Sequence, residues 1–220
     1  MSNQSLPAAV LWDLDGTLID SEQYWMRAEG AIAARYNGEW SHEDGASMIG
    51  LALPVSCKIM ADRLGITDLT IDEIIAELTN NVLLDLLREI PWRPGALELL
   101  RGLNEVGVPQ ALVTMSLRRI ALTVAESLDF APFQVVVAGD DVERGKPHPD
   151  AYLKAAEALN LHPSLCVAIE DSLNGLASAE AAGTKAVAIP HLMHIPDAPT
   201  RTIWPSLTQV TPNHLGQLFS

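Results

Sequence analysis

Cysteine is nearly absent from this chain: two residues in 220, Cys57 and Cys166, far apart in the sequence. That excludes a disulfide framework. Cys166 sits inside the apolar run Leu165-Cys166-Val167-Ala168-Ile169 and reads as a buried thiol. Positive charge is also scarce, with 14 Lys and Arg against 28 Asp and Glu and a net charge of −14. A nucleic-acid partner needs clustered Lys and Arg to meet phosphate backbones, so that class is excluded. A small phosphorylated substrate is not, because a metal, one or two cations and backbone amides can hold it locally. No apolar run approaches the roughly 20 residues that span a bilayer, and no basic-then-apolar leader opens the chain. The expectation is a soluble, cytoplasmic monomer with no membrane partner. Internal repeats and low-complexity segments are missing as well.

What is present is an ordinary globular balance, 48% apolar and 19% charged, in a chain long for one domain and short for two. One stretch organises it: Ala8-Ala9-Val10-Leu11-Trp12-Asp13-Leu14-Asp15-Gly16-Thr17-Leu18. The apolar run predicts a buried parallel strand, since both of its faces must shed water. If the strand continues through Asp13 and Asp15, its alternation points both carboxylates to one side. Gly16 then permits a sharp exit. Two like charges that close need a cation or a shared proton between them. The pattern suits a divalent cation with oxygen ligands, one carboxylate to attack and one to move protons.

The residues after Thr17 repeat at helical spacing. A helix starting at Ser21-Glu22 carries Tyr24, Trp25, Ala28, Ala31, Ile32 and Tyr36, and Asn37-Gly38 stops it. A weaker helical stretch from Ser41 to Ile49 ends at Gly50. Pro54 opens a segment to Leu64, and Thr70 caps a run reaching Leu87. No strand signal interrupts Ser21 to Glu89, so the block reads as a small helical bundle inserted after the first strand. Pro91-Trp92-Arg93-Pro94-Gly95 punctuates the return. Helices and strands then alternate. Strands are predicted over Pro109–Thr114, Phe133–Ala138, Leu165–Ile169 and Lys185–Ile189. Helices are predicted over Ala96–Val106, Leu117–Leu128, Pro149–Leu159 and Leu173–Ala182. The fold class is therefore α/β: a doubly wound parallel sheet, Rossmann-like, with an inserted α-helical cap. The core comprises residues 1–18 and 91–220, and the cap residues 19–90. The tail after Pro190 gives no clear element except a short helix begun by Thr211-Pro212.

Ligands in such sheets bind beyond the carboxyl ends of the strands. There the first strand places Asp13 and Asp15, the second Thr114-Met115-Ser116, and the fourth Glu170-Asp171-Ser172. The third is followed by Gly139-Asp140-Asp141 and then by Gly145-Lys146-Pro147-His148-Pro149-Asp150. Carboxylates for a metal, hydroxyls for phosphate oxygens and a lysine thus converge on one crevice. His191 and His194, three apart after the last strand, lack a third ligand, and a surface role is expected for them. His148, between two prolines, is expected to be structural.

These segments, in this order, resemble the four motifs of the haloacid dehalogenase-like superfamily over roughly Ala8 to Ile189. The helical block sits where the phosphatase and phosphomutase branch carries its cap. One departure is Met115, where a small or amide residue is usual. The resemblance implies Asp13 as nucleophile forming an aspartyl-phosphate, with Asp15 as the acid and then the base. It implies Mg²⁺ held by Asp13, the Asp15 carbonyl and Asp171, with Glu170 behind them. Lys146 would neutralise Asp13 and the phosphoryl group, and Thr114 would donate to it. Gly16, Met115 and Ser116 would line the phosphate site. From the cap, Ser21, Trp25, Gly50 and the Met48–Leu53 segment would face the substrate, a small phosphorylated metabolite such as a sugar or polyol phosphate. Closure would bend the chain at Leu18–Ser21 and Pro91–Gly95.

The same motifs serve β-phosphoglucomutases, the main alternative. A non-catalytic phosphate-binding protein would not need both Asp13 and Asp15. A mutase must hold a second phosphate with cationic cap residues. Related mutases use an Arg after the glycine matching Gly50, a His on the first cap helix and a Lys late in the cap. Here the loop reads Leu51-Ala52-Leu53, Trp25 stands at the His position, and no Lys or Arg lies between Leu64 and Leu87. Lys58 of the cap could still reach inward. The expectation is a Mg²⁺-dependent phosphatase.

Overall fold

The computed structural model describes residues 6–48 and 51–220. Its central strand is β1 (Ala9–Trp12), buried at all four residues. Val10 and Trp12 enter one hydrophobic cluster while Ala9 and Leu11 enter another, so each face of the strand meets its own core. This is the burial a strand covered on both sides requires. Beneath Trp12 the indole N–H donates to Gln110 Oε1 at 2.9 Å, and Gln110 Nε2 donates to the Leu100 carbonyl at 3.1 Å. The two buried polar side chains thereby satisfy each other.

Strands β2 (Gln110–Val113), β3 (Phe133–Val137), β4 (Cys166–Glu170), β5 (Lys185–Ala188) and β6 (Arg201–Ile203) complete a parallel sheet. The order is β3-β2-β1-β4-β5-β6. The chain winds outward on one side of β1 and then on the other, which opens a crevice beyond β1 and β4 where the order reverses. β6 lies in the tail that gave no strand signal. Three residues between Pro199 and Pro205 show no apolar run, and pairing with β5 supplies what local pattern does not. Its Arg201 is tied to Glu180 by two hydrogen bonds, at 2.6 and 3.1 Å.

Between β1 and the rest of the sheet the described residues form helices α1 (Glu22–Arg35), α2 (His42–Ala46), α3 (Leu53–Leu64) and α4 (Ile71–Leu86), with no strand among them. Sequence signals set their ends. Ser41 with Asp44 and Thr70 with Glu73 cap α2 and α4 reciprocally, and Pro54 occupies the first turn of α3. Ile32, Cys57, Met60, Ile74 and Val82 from this insertion join the same cluster as Trp12 and Leu14, so it packs on one face of the sheet. Burial pushes the Cys57 thiol up to about 12 and the Cys166 thiol up to about 11, and both cysteines are free.

Helices α5 (Ala96–Glu105), α6 (Arg118–Glu126), α7 (Asp150–Ala158), α8 (Leu173–Ala181) and α9 (Pro212–Gly216) follow, α9 at the predicted Thr211-Pro212 start. Ala151, Tyr152 and Ala155 of α7 and Leu176 and Ala179 of α8 cover the face opposite the insertion. No described helix is long and apolar enough to cross a membrane.

The return from the insertion passes Gly95, which caps α5 with φ +84°. A Cβ there would lie 2.2 Å from the Leu207 carbonyl carbon. Gly95→Ala should therefore cost about 2–3 kcal/mol. Urea unfolding should show it as a lower midpoint with an unchanged slope; an unchanged midpoint would contradict this account of the turn.

Candidate active site

β1 ends at Trp12, earlier than a strand running through Asp15 would. The Leu18 and Ile19 N–H groups fold back onto the Leu14 carbonyl at 2.9 and 3.1 Å, and Gly16 turns the chain with φ +86°. A Cβ on Gly16 would stand 2.0 Å from Asp171 Oδ2, so only glycine lets that carboxylate approach. Asp13 stays fixed against β4, its N–H donating to the Ile169 carbonyl at 3.0 Å. Asp13 and Asp15 line one cavity.

Lys146 enters from the loop before α7. Its Nζ donates to Asp13 Oδ1 at 2.7 Å, Glu170 Oε1 at 2.6 Å and the Val113 carbonyl at 3.0 Å. Lys146, Asp13, Glu170 and Asp171 are all buried. Burial works against the lysine's charge, but Asp13 and Glu170 outweigh it and hold the ammonium protonated. Burial and then the charge of Glu170 raise the Asp13 carboxyl to about 7, partly countered by Lys146. Asp171 is raised by burial and by Asp13 and Glu170. The Tyr152 hydroxyl donates to Glu170 Oε1 at 2.7 Å. Thus three carboxylates face one cation, and ligand atoms from Asp13, Glu170 and Asp171 lie within 4.8 Å of one another. Asp13 Oδ2 is buried and has no hydrogen-bond partner. An all-oxygen donor set with uncompensated charge fits a hard divalent cation.

Asp15 is held from two sides. Ser21 Oγ and Trp25 Nε1 (3.3 Å) of the insertion side donate to its Oδ1; Thr114 Oγ1 (3.3 Å) and Ser116 Oγ (2.7 Å) of the core donate to its Oδ2. Ser21 begins α1 but does not cap it with its side chain, because its hydroxyl is committed to Asp15. Thr114 Oγ1 also accepts the Ser116 N–H at 3.0 Å. The sulfur of Met115 accepts the Lys146 N–H at 3.2 Å, so this side chain steadies the lysine loop.

The cavity measures about 130 Å³. Gly16, Thr114, Met115, Ser116, Lys146 and Asp171 line its floor; Trp25, Met48, Leu51 and Leu53 line the facing wall. Gly50 lies outside the described residues. Glu170 lies beneath, fully buried. Asp140 and Asp141 are turned away to the N-terminus of α6, where they accept from the Arg118 backbone and guanidinium, so they do not join the crevice. Lys58 is exposed and paired with Asp62, so it does not reach inward.

The expectation of a surface role for both histidines needs correction. His194 is exposed, but His191 is half-buried on the cavity wall. Its Nε2 lies 3.0 Å from Asp20 Oδ1 and its Nδ1 contacts Arg93 Nη1, which joins the two linkers that lead into and out of the insertion. No spacing signal marks this, since the partners are remote in sequence. The cavity also contains Glu22 and Glu29, which sequence reading left unassigned. Their signal was available: Glu22, Trp25 and Glu29 stand at i, i+3 and i+7 on one face of α1.

Residues 7–183 match the family model of the haloacid dehalogenase-like hydrolases. Hexitol phosphatase A of Escherichia coli is 35% identical over 182 residues, covering 81% of this chain and 81% of that protein. The bifunctional riboflavin kinase/FMN phosphatase of Arabidopsis thaliana is 32% identical over 201 residues, 87% of this chain; the match spans about half of that protein, 51%. Among solved structures, CbbY from Rhodobacter sphaeroides in complex with phosphate superposes with a TM-score of 0.85 at 26% identity, over 93% of this chain and 96% of that one.

The charge balance makes a pH prediction. Unfolded aspartates titrate near 4, whereas folded Asp13 titrates at about 7. Between those values the folded chain holds a proton that the unfolded chain has released, so this group's contribution to stability falls as pH rises. Without metal, the unfolding free energy of wild type relative to Asp13→Asn should drop from about pH 4 to about pH 7, by at most about 1.4 kcal/mol per unit. Urea unfolding in chelator measures it; a flat or rising difference would contradict the assignment.

Proposed function

The chain belongs to the haloacid dehalogenase-like hydrolase family and is a phosphatase, and from that premise we propose that it hydrolyses a small sugar or polyol phosphomonoester with Mg²⁺, through an aspartyl-phosphate on Asp13. The observation that carries this reading is the asymmetry of Asp13: Oδ1 is fixed by Lys146 while Oδ2 is free of partners in a residue lining the cavity. A nucleophile needs one oriented, unpartnered oxygen.

In this mechanism Asp13 Oδ2 attacks phosphorus and the alcohol oxygen leaves, taking a proton from Asp15. A water then attacks the aspartyl-phosphate, giving its proton back to Asp15, and phosphate departs. Lys146 offsets the charge of Asp13 as the phosphoryl oxygens approach. Ser116 and Thr114 fix Asp15 between the two steps. Mg²⁺, held by Asp13, Asp171 and the Asp15 carbonyl with Glu170 behind, would supply positive charge to the phosphoryl oxygens. Residues 19–90 act as a cap over residues 1–18 and 91–220, bending at the two linkers. Ser21 and Trp25 tie that cap to Asp15 when the site is covered. We place this reaction in the cytoplasm and propose one chain as its working unit.

Hydrolysis is favoured over transfer to a sugar because the facing wall presents Trp25, Leu51 and Leu53, and Lys58 is spent on Asp62. Among the described residues of that wall no Lys or Arg is placed to hold a second phosphate. An aryl phosphate should turn over with Mg²⁺ and stop on chelation. Asp13→Asn should lose at least about 10³-fold and Asp15→Asn about 10²–10⁴-fold in kcat. Activity that survives chelation or Asp13→Asn would overturn the mechanism. With β-glucose 1-phosphate and a trace of the bisphosphate, free phosphate should form faster than glucose 6-phosphate; the reverse order would identify a mutase.

A further inference from the structure

The facing wall carries more than apolar side chains. Glu22 and Glu29, seven residues apart on α1, both line the cavity that holds Asp13 and Asp15. Glu29 is buried, and its Oε2 accepts the Trp40 indole N–H at 2.8 Å. The glycine at 45 keeps room beside it, since a Cβ there would stand 3.1 Å from Oε2. Glu22 is raised to about 7 by burial, then by the charges of Glu29, Asp15 and Asp20, with no lowering contribution. Among the cavity-lining residues Lys146 is the one Lys or Arg, and it is committed to Asp13 and Glu170. The Ser56 hydroxyl is turned to the Leu53 carbonyl at 3.1 Å.

A substrate whose phosphate sits over Asp13 must place its alcohol part against this wall and take water from it. A carboxylate stripped of water without a partner is costly, so the alcohol part has to supply donors or positive charge. A second carboxylate or phosphate on the substrate would meet like charge in a space with little water to screen it. An ammonium answers both carboxylates with charge-assisted hydrogen bonds. The Trp25 ring beside them adds a face on which a cation rests favourably.

We propose that Glu22 and Glu29 are specificity-determining residues that select phosphomonoesters whose alcohol part bears an amine, an aminated sugar or polyol phosphate, over neutral and acidic ones. This rests on the phosphatase reading of the same cavity and adds to it the chemical class of the leaving group. Neutral polyol phosphates remain substrates of lower efficiency, because hydroxyls donate without charge. Phosphates carrying a carboxylate are the poorest.

The test compares kcat/KM on wild-type protein with Mg²⁺ for glucosamine 6-phosphate, glucose 6-phosphate and 6-phosphogluconate, with an aryl phosphate alongside. The expected order is amine, neutral, acid, with at least about tenfold between the first two. Glu22→Gln, and separately Glu29→Gln, should bring the amine-to-neutral ratio toward one. That ratio is taken on one preparation, so it is independent of how much variant is folded. If the aryl phosphate is inert, the phosphatase mechanism itself fails. If it is hydrolysed but the neutral or acidic sugar phosphate matches or exceeds the aminated one, this proposal alone fails. A ratio unmoved in both variants likewise overturns it.

Discussion

Three buried carboxylates share one lysine at the end of the central strand, and the site is built around that imbalance. Lys146 answers Asp13 and Glu170 directly, and Asp171 is left to crowd against both. Such a cluster is unfavourable in the bare protein, because charge buried without a partner costs several kcal/mol. The fold tolerates it because the rest of β1 and β4 is apolar and buried, which holds the three side chains at fixed positions. A divalent cation would complete what the lysine leaves unfinished. The same excess charge raises Asp13 and Asp171, so proton occupancy and metal occupancy compete for one site.

Asp15 connects this electrostatic centre to the helical insertion. Its two oxygens are shared between donors of the insertion side and donors of the core, so this carboxylate senses both. Near the linkers His191 contacts Asp20 and Arg93, and the Asp20 N–H donates to the Pro91 carbonyl at 2.8 Å. The two crossings of the chain are thus joined to each other and to the loop after β5. Motion of the insertion would pass through these few contacts, whereas its hydrophobic residues form one cluster with the sheet face.

Much of this was legible in the sequence, for physical reasons that differ by residue. Alternating strands and helices, the apolar run before Asp13 and the polar groups after each strand all follow from local pattern, and the sheet brings them together. Ser21 marked a helix start correctly, yet its hydroxyl serves Asp15, because a remote acceptor outcompeted the local cap. Asp140 and Asp141 looked like crevice residues but are spent on Arg118, which lies 22 and 23 positions away. The strand at Arg201–Ile203 was hidden by its prolines and depends on β5 for its existence. His191 was misread as a surface group since its partners come from two linkers far up the chain. Glu22 and Glu29 were visible as a helical stripe but are ordinary as single residues, and only the cavity gives them meaning.

The cavity therefore pairs a floor that demands cations with a wall that adds carboxylates, and Asp13 and Asp171 would hold a divalent cation at that floor. Titration calorimetry of Mg²⁺ into the chelator-stripped protein examines this directly. One Mg²⁺ should bind per chain, with a release of protons that shrinks as pH rises, since burial and like charge raise both Asp13 and Asp171. That binding should be lost in Asp171→Asn. No saturable binding, or binding that is unchanged by the substitution, would contradict this account of the site.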